Sequence, residues 1–292
     1  MTSFSNLLLA TCVTLCGLHA GSASAAELHR DDVLGTSLDL RIDAPAAQAA
    51  AAQQAALAEI ERLDAVLSRW RADSELSRFN ASSGPQQLSG DLRAVLRLCE
   101  EWRARTEGLF SCRLGTLAQR WRQAQESGVL PTREELRALA SAAANADVSL
   151  DDRAPVTRPQ AVVFDVDALA KGYIIDRALA AARAAAPAAT AIALDIGGDA
   201  RYWQASGAGQ PWPVGVADAR APRDNRPVLA TVALRSQAIA ASGHATRGYT
   251  VGRRQYSHFS TPGRAGPCSS HRRRRWWGPM PAAPMRWPPR CR

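Results

Sequence analysis

Residues 161–187 read AVVFDVDALAKGYIIDRALAAARAAAP. The apolar run Ala161–Phe164 predicts a buried strand, and the Ala-rich stretch after it predicts a helix that Pro187 stops. A second strand follows at once in TAIALDIGG (190–198), which runs into paired glycines. Upstream, GTSLDLRID (35–43) alternates apolar and polar residues as a half-buried strand does. Pro45 then opens a long helix in which Leu57, Ile60, Leu63, Val66 and Leu67 form one buried stripe.

Two more helices are predicted. Ser89 caps one whose inner face carries Leu92, Val95, Leu96, Cys99 and Trp102, and Gly108 ends it. PTREELRALASAAA (131–144) is the other, with Thr132 as its cap. PWPVGVAD (211–218), VLATVALRSQAIAASG (228–243) and GYTVGRRQYSHF (248–259) make a β-rich second half. Strands and helices mix without strict βαβ alternation, so the expected class is α+β, with mixed or antiparallel sheets and packed helices.

Leu7–Cys16 is a short apolar core followed by Ala23-Ser24-Ala25, which reads as an export signal over residues 1–25, though no Lys or Arg precedes it. Leu15 stands where a lipid-anchoring site at Cys16 wants a small residue. The expectation is an exported, periplasmic protein able to work at a membrane surface. Cys12 and Cys16 leave with the signal, and Cys268 and Cys291 lie in a C-terminal tail. Cys99 and Cys112 fit no zinc spacing; two buried thiols are the simpler expectation, and a disulfide stays open.

The net charge of +9 includes eight Arg after Phe259 with no Asp or Glu there, which leaves +1 for residues 1–259. A nucleic-acid reading would therefore rest on the tail alone, and no nucleic-acid partner is expected.

Three junctions put polar groups at the mouth of a strand or helix. Asp165 and Asp167 sit at a strand-to-helix turn, with Lys171 about one turn later; a helix start favours anions, and Lys adds a cation for phosphate. Gly197-Gly198 lets a ligand approach the backbone. Ser242, His244 and His258 supply hydroxyl and imidazole. Each has an ordinary structural explanation as well: a capped helix, a tight turn, a histidine at a strand end.

Taken in order, LSRWRADSELSRFN (67–80), EGLFSCRLGTLAQRW (107–121), VVFDVDALAKGYIIDRAL (162–179), ALDIGGDARYW (193–203), IAASG (239–243) and YSHF (256–259) resemble the ApbE-type flavin transferases over about residues 34–259. The resemblance implies a single catalytic domain of T-fold-related architecture. It also implies a Mg²⁺-dependent FAD:protein FMN transferase outside the cytoplasm. FAD is the substrate, FMN is placed on a Thr or Ser of an acceptor protein, typically a membrane redox subunit, and AMP leaves.

By motif position, Trp70 resembles the family's aromatic on FAD and Asn80 its flavin-site Asn, while Leu109, Phe110 and Ser111 match a stretch lining FAD. Asp165 matches the adenine-side Asp, and the Ala168 carbonyl the backbone metal ligand. Lys171, Gly197, Gly198 and Ser242 complete the expected cofactor site. Ser111 stands where a carboxylate is common, and SGHAT (242–246) replaces a usual S-G-D-Y-E. Nucleotidyl transfer needs neutralised phosphates and a base near the acceptor hydroxyl; Lys171 suits the first role and His258 the second.

After Phe259 the family's D-P-R-T-G and its metal-ligating helix are missing, and RRRRWWGPMPAAPMRWPPRCR (272–292) stands instead. Shifted codons, built from the third base of each codon and the first two of the next, accommodate them. Trp and Met have single codons, so Trp276-Trp277-Gly278 forces V-G, while Met280-Pro281 and Trp287-Pro288 each force A. The forced residues agree with the family's helix V-G-P-D-A-x-x-A-D-A-L-A-T-A-L. The organisation expected is a signal at 1–25, a transferase domain at 26–259 missing its last part, and an out-of-frame, disordered tail at 260–292. The remaining Asp and Thr metal ligands would be lost with that helix.

Overall fold

A computed structural model describes residues 24–151, 153–216, 228–242, 248–257, 260–261, 266–267 and 274–278. The side chains of 24, 241–242, 257, 260–261, 266–267 and 274–278 are outside that description. The signal expected at 1–25 therefore lies almost wholly outside the described residues.

The frame is a six-stranded antiparallel sheet. β1 (Ser24–Val33) and β2 (Thr36–Ala44) form a hairpin. Its two turn residues, Leu34 and Gly35, both have positive φ, as a tight turn matching strand twist requires. β3 (Ala191–Ile196) and β4 (Asp199–Gln204) continue the sheet, then β7 (Ala238–Ser242) and β12 (Arg274–Gly278), in the order β1-β2-β3-β4-β7-β12. Leu38, Leu40 and Ile42 pair with Ile196, Leu194 and Ile192, and all six are buried on one face.

Two helices cover that face. α1 (Ala46–Leu67) buries Ala49, Ala52, Ala56, Ile60, Leu63 and Leu67. The stripe thus begins with alanines, and Leu57 and Val66 are only half-buried. α6 (Asp167–Ala185) packs against α1 through Ala170, Ile174, Ala178 and Ala182 among others. Small side chains on both helices permit a close approach. α3 (Gly90–Arg105) and α5 (Arg133–Asn145) are capped by Ser89 and Thr132, whose hydroxyls accept the Leu92 and Glu135 N–H at 3.2 and 3.1 Å. The short α2 (Glu75–Ala81), capped by Ser74, also lines the main core.

A smaller core forms between α4 (Gly115–Ser127), α5 and the hairpin of β8 (Gly248–Val251) and β9 (Arg254–Ser257). Trp121 stacks on Tyr249 there and packs tilted against Tyr256. Among the described residues, β5 (Trp212–Val216) pairs with β6 (Ala230–Leu234) alone, and β10 (Ser260–Thr261) with β11 (Gly266–Pro267) alone.

Three expectations are corrected. Ala161–Phe164 is not a strand: a single parallel bridge joins Val163 to Leu114, and among the described residues no sheet strand lies alongside. Cys99 and Cys112 form a disulfide rather than two thiols. The tail is not wholly irregular, because Arg274–Gly278 pairs antiparallel with β7. Its prolines flank this stretch and none lies within 268–278, so the backbone donors that a ladder needs are present.

Gly115 sets how closely α4 approaches the 162–165 segment. A Cβ there would meet the Val163 carbonyl oxygen and Cγ1 at 2.6 Å. Gly115→Ala is expected to lower stability by about 1–3 kcal/mol, measured by urea denaturation, because backbone rather than a flexible side chain must yield.

Candidate functional site

The irregular segment at the start of α6 is the hub. Phe164 is 1% exposed, so its backbone groups need partners inside the protein. Asn80 supplies both: its Nδ2 donates to the Phe164 carbonyl and its Oδ1 accepts the Phe164 N–H, each at 2.8 Å. Phe79 stacks on the Phe164 ring with centroids 5.9 Å apart. The Asp165 N–H donates to the Cys112 carbonyl at 2.8 Å, and the Gly115 N–H to the Val163 carbonyl at 2.9 Å. In this way α2 and the loop before α4 both close on the residues that present Asp165.

That loop is held to α3 twice. The Cys99–Cys112 disulfide is one tie. The other is the buried Arg113, which donates to both carboxylate oxygens of Glu100 at 2.7 Å and to the Ala146 carbonyl at 2.6 Å. Of the expected FAD-lining residues, Leu109 is exposed and Phe110 half-buried against the core. The Ser111 hydroxyl accepts the Arg113 N–H at 3.2 Å.

On the outer side, Arg69 reaches the α6 start. Its guanidinium lies 2.5 Å from an Asp167 oxygen, 3.3 Å from an Asp165 oxygen, and 4.0 Å from the centre of the Trp70 ring. Trp70 is 71% exposed. Burial, then repulsion from Asp167, pushes the Asp165 carboxyl above its ordinary value, and Arg69 and Arg122 oppose the shift. One turn along α6, the Lys171 ammonium is 3.3 Å from an Asp199 oxygen, which ties the helix to the β3–β4 turn.

The paired glycines of that turn do different jobs. Gly197 has φ +61°, and a Cβ on it would lie 2.5–2.6 Å from the Thr36 side chain, so the close approach there is made by Thr36. Gly198 has φ +86° with open space beside it, and its N–H donates to the Asp195 carboxylate at 2.8 Å. Burial pushes the Asp195 carboxyl up.

The structure therefore sets Asn80, Asp165 and, through Arg69, Trp70 at the α6 start, with Ala168 in the helix's first turn and Lys171 one turn along, paired with Asp199 next to Gly198. Of Ser242 only the backbone is described, at the end of β7. His244 and His258 lie outside the described residues. Arg69 and Arg122, which face Asp165, were missed by sequence reading. Arg69 had one available signal, its place between the motif residues Ser68 and Trp70.

Divalent metal fits poorly to what is described. Among the described residues no three His, Cys, Asp or Glu side chains converge as a metal-binding group. The acidic pair nearest the Ala168 carbonyl in sequence is already ion-paired with Arg69.

The model of the ApbE family matches residues 34–274. The chain belongs to the ApbE family. The match runs past Phe259, where the motif resemblance ends, to the first residue of β12. A Vibrio cholerae FAD:protein FMN transferase is 27% identical over 207 residues, covering 70% of this chain and 61% of that protein. One from Klebsiella pneumoniae is 26% identical over 281 residues, covering 90% and 78%. The chain spans 61% of the Vibrio cholerae relative and 63% of a Haemophilus influenzae relative, less than two thirds of each.

The crystal structure of an ApbE protein from Thermotoga maritima superposes with a TM-score of 0.72 at 25% identity, covering 84% of this chain and 79% of that one. Pseudomonas stutzeri flavinyl transferase ApbE gives 0.67 at 20% identity, covering 84% and 76%, a likeness of fold. The expected α+β class with antiparallel sheet and packed helices is thereby shown.

Two changes probe this geometry. Asn80→Ala leaves both Phe164 backbone groups buried without partners and should cost about 2–4 kcal/mol by chemical denaturation, whereas Asn80→Asp retains the acceptor and loses only the donor. The second is Asp195→Asn. The folded pKa of Asp195 lies above its unfolded value, so its stabilising share is full below the unfolded value and is lost as pH rises through the folded one. Asn keeps the acceptor for Gly198, so Asp195→Asn should raise Tm at pH 7 by on the order of a few degrees and leave it unchanged near pH 3.

Proposed function

We propose that this chain descends from, and is built as, a FAD:protein FMN transferase. The observation that supports the reading is the group of contacts at the α6 start, in which Asn80 bonds Phe164, Arg69 joins Trp70 to Asp165, and Lys171 pairs with Asp199. In this reading Trp70 stacks on FAD, Asp165 accepts from its adenine side, and Lys171 with the α6 N-terminus draws the pyrophosphate. The acceptor Thr or Ser oxygen attacks the phosphorus of the FMN half. The P–O bond to the AMP half breaks, AMP leaves with that oxygen, and His258 takes the hydroxyl proton. The acceptor is expected to be a membrane redox subunit.

Mg²⁺ comes to this chain through the resemblance, and when bound would neutralise phosphate charge through the Ala168 carbonyl and ligands from the family's last helix. The described residues do not fit it, so no step above is routed through the metal. Residues 260–292 are read as that helix out of frame. Weakened FAD binding and low or absent transfer are therefore expected for this sequence as it stands. A non-catalytic FAD-binding protein, or decayed copy, is the second reading, favoured by the same lack of a described metal group. Export to the periplasm is supported by the Cys99–Cys112 disulfide, since such bonds persist in oxidising compartments.

The test incubates the full chain and a version with the shifted frame restored after Phe259 with FAD, Mg²⁺ and a Thr-bearing acceptor. The restored version should add FMN to the acceptor by mass and release AMP in equal amount, while the present chain labels little or none. Labelling by the present chain equal to the restored one would reject the impairment. No labelling by either, with FAD still bound, would favour the second reading.

A further inference from the structure

We propose that Arg69 is a positioning residue that holds the Trp70 ring flat as a one-sided stacking platform for the planar ring of a flavin. The proposal rests on the transferase reading for the identity of the ligand. It does not rest on that reading for the platform itself.

An exposed tryptophan on a loop ordinarily samples several rotamers, and ordering it on binding weakens affinity. Trp70 is 71% exposed and follows directly after α1 and Ser68. Its backbone is fixed: the Ser68 hydroxyl accepts the Trp70 and Arg71 N–H groups at 3.3 Å, and the Ser68 carbonyl accepts from Ser74 at 2.5 Å. Backbone order alone leaves the indole free to turn.

The guanidinium supplies the missing restraint. Arg69 is itself pinned, 21% exposed, with Nε 2.5 Å from Asp167 and Nη1 3.3 Å from Asp165. Its Cζ sits 4.0 Å from the Trp70 ring centre, the range of direct stacking on an aromatic face. One indole face is thus covered by a cation whose position is set by α6, and the exposed remainder stays available to a second flat ring. The same guanidinium registers Trp70 against Asp165, so the expected flavin-side and adenine-side contacts are spaced by one side chain. A lysine at 69 would keep the charge for the two carboxylates but has no plane to lay against the indole.

The decisive variant is Arg69→Lys, which keeps a cation beside the acidic pair. Full-length protein is labelled with 5-fluorotryptophan, and the Trp70 resonance is assigned by its loss in Trp70→Phe. Without any flavin, Arg69→Lys and Arg69→Gln are expected to move and narrow the Trp70 ¹⁹F line while the other lines stay in place. An unchanged line would overturn the platform. FAD dissociation constants are then measured for wild type, Arg69→Lys, Trp70→Ala and the double variant Arg69→Lys/Trp70→Ala. Arg69→Lys should bind FAD on the order of 5- to 10-fold more weakly, and should cost nothing further once Trp70 is alanine. Wild-type affinity in Arg69→Lys, or an undiminished loss in the Trp70→Ala background, would overturn the proposal. Absence of FAD binding by wild type while the ¹⁹F line responds as expected would reject the transferase reading and leave the platform standing.

Discussion

A buried stretch of backbone without a sheet partner is the constraint on which this structure depends. Residues 162–165 cross the core beside α2 and the loop before α4, and their peptide groups are satisfied one at a time. Asn80 takes both groups of Phe164, the Cys112 carbonyl takes the Asp165 N–H, and the Val163 and Val162 carbonyls accept from Gly115 and Arg158. The partners come from α2, from the 109–115 segment and from Arg158, so each set of bonds also fixes where its own segment lies. A buried peptide group left unmade costs about 1–3 kcal/mol, so this segment is ordered only when α2, the 109–115 loop and residues 158–159 are all in place. The start of α6, and with it Asp165 and Lys171, inherits its position from that closure.

The parts of the fold with strong periodicity were legible. α1, α3, α5 and α6 announce themselves by apolar residues at helical spacing, α3 and α5 also by their Ser and Thr caps, and β2 and β3 by alternation or a short apolar run. α2 is seven residues long, too short for a period to emerge, and its cap Ser74 is one Ser among several. α4 was readable in retrospect from Leu117, Trp121 and Ala124, with Gly128 at φ +73° as its stop. β1 is a charged outer strand of the kind that discourages edge pairing, and its polar pattern conceals it. The failed strand at 161–164 shows the opposite limit. An apolar run states that a segment is buried and says nothing of what lies beside it.

The site was legible as a set of positions and not as an arrangement. Asn80 was marked by its motif, yet its two bonds to Phe164 make it a backbone clamp as well as a candidate ligand contact. Gly197 was marked as a place for close approach, and the approaching group is Thr36 of the neighbouring strand. Arg69 and Arg122 carry no charge pattern of their own that marks them as site residues, because their role comes from carboxylates distant along the chain, 98 positions away for Arg69 and Asp167. Tertiary neighbours create such roles, so single-sequence reading finds them only by the company they keep.

The distribution of charge at the α6 start argues that the arrangement serves a ligand. Folding alone would favour an apolar residue at 165, where burial and Asp167 both work against ionisation. The protein keeps the carboxylate and places Arg69 on it, then repeats the pattern with Lys171 on Asp199 and Arg201 beside Asp176. Buried or half-buried pairs of this kind add little net stability, because desolvation offsets most of the attraction. Three of them around one helix are therefore poorly explained as stabilising devices. They fix the direction of charged groups at a surface where an exposed indole already waits, an arrangement that the proposed recognition of a flat, anionic nucleotide would use.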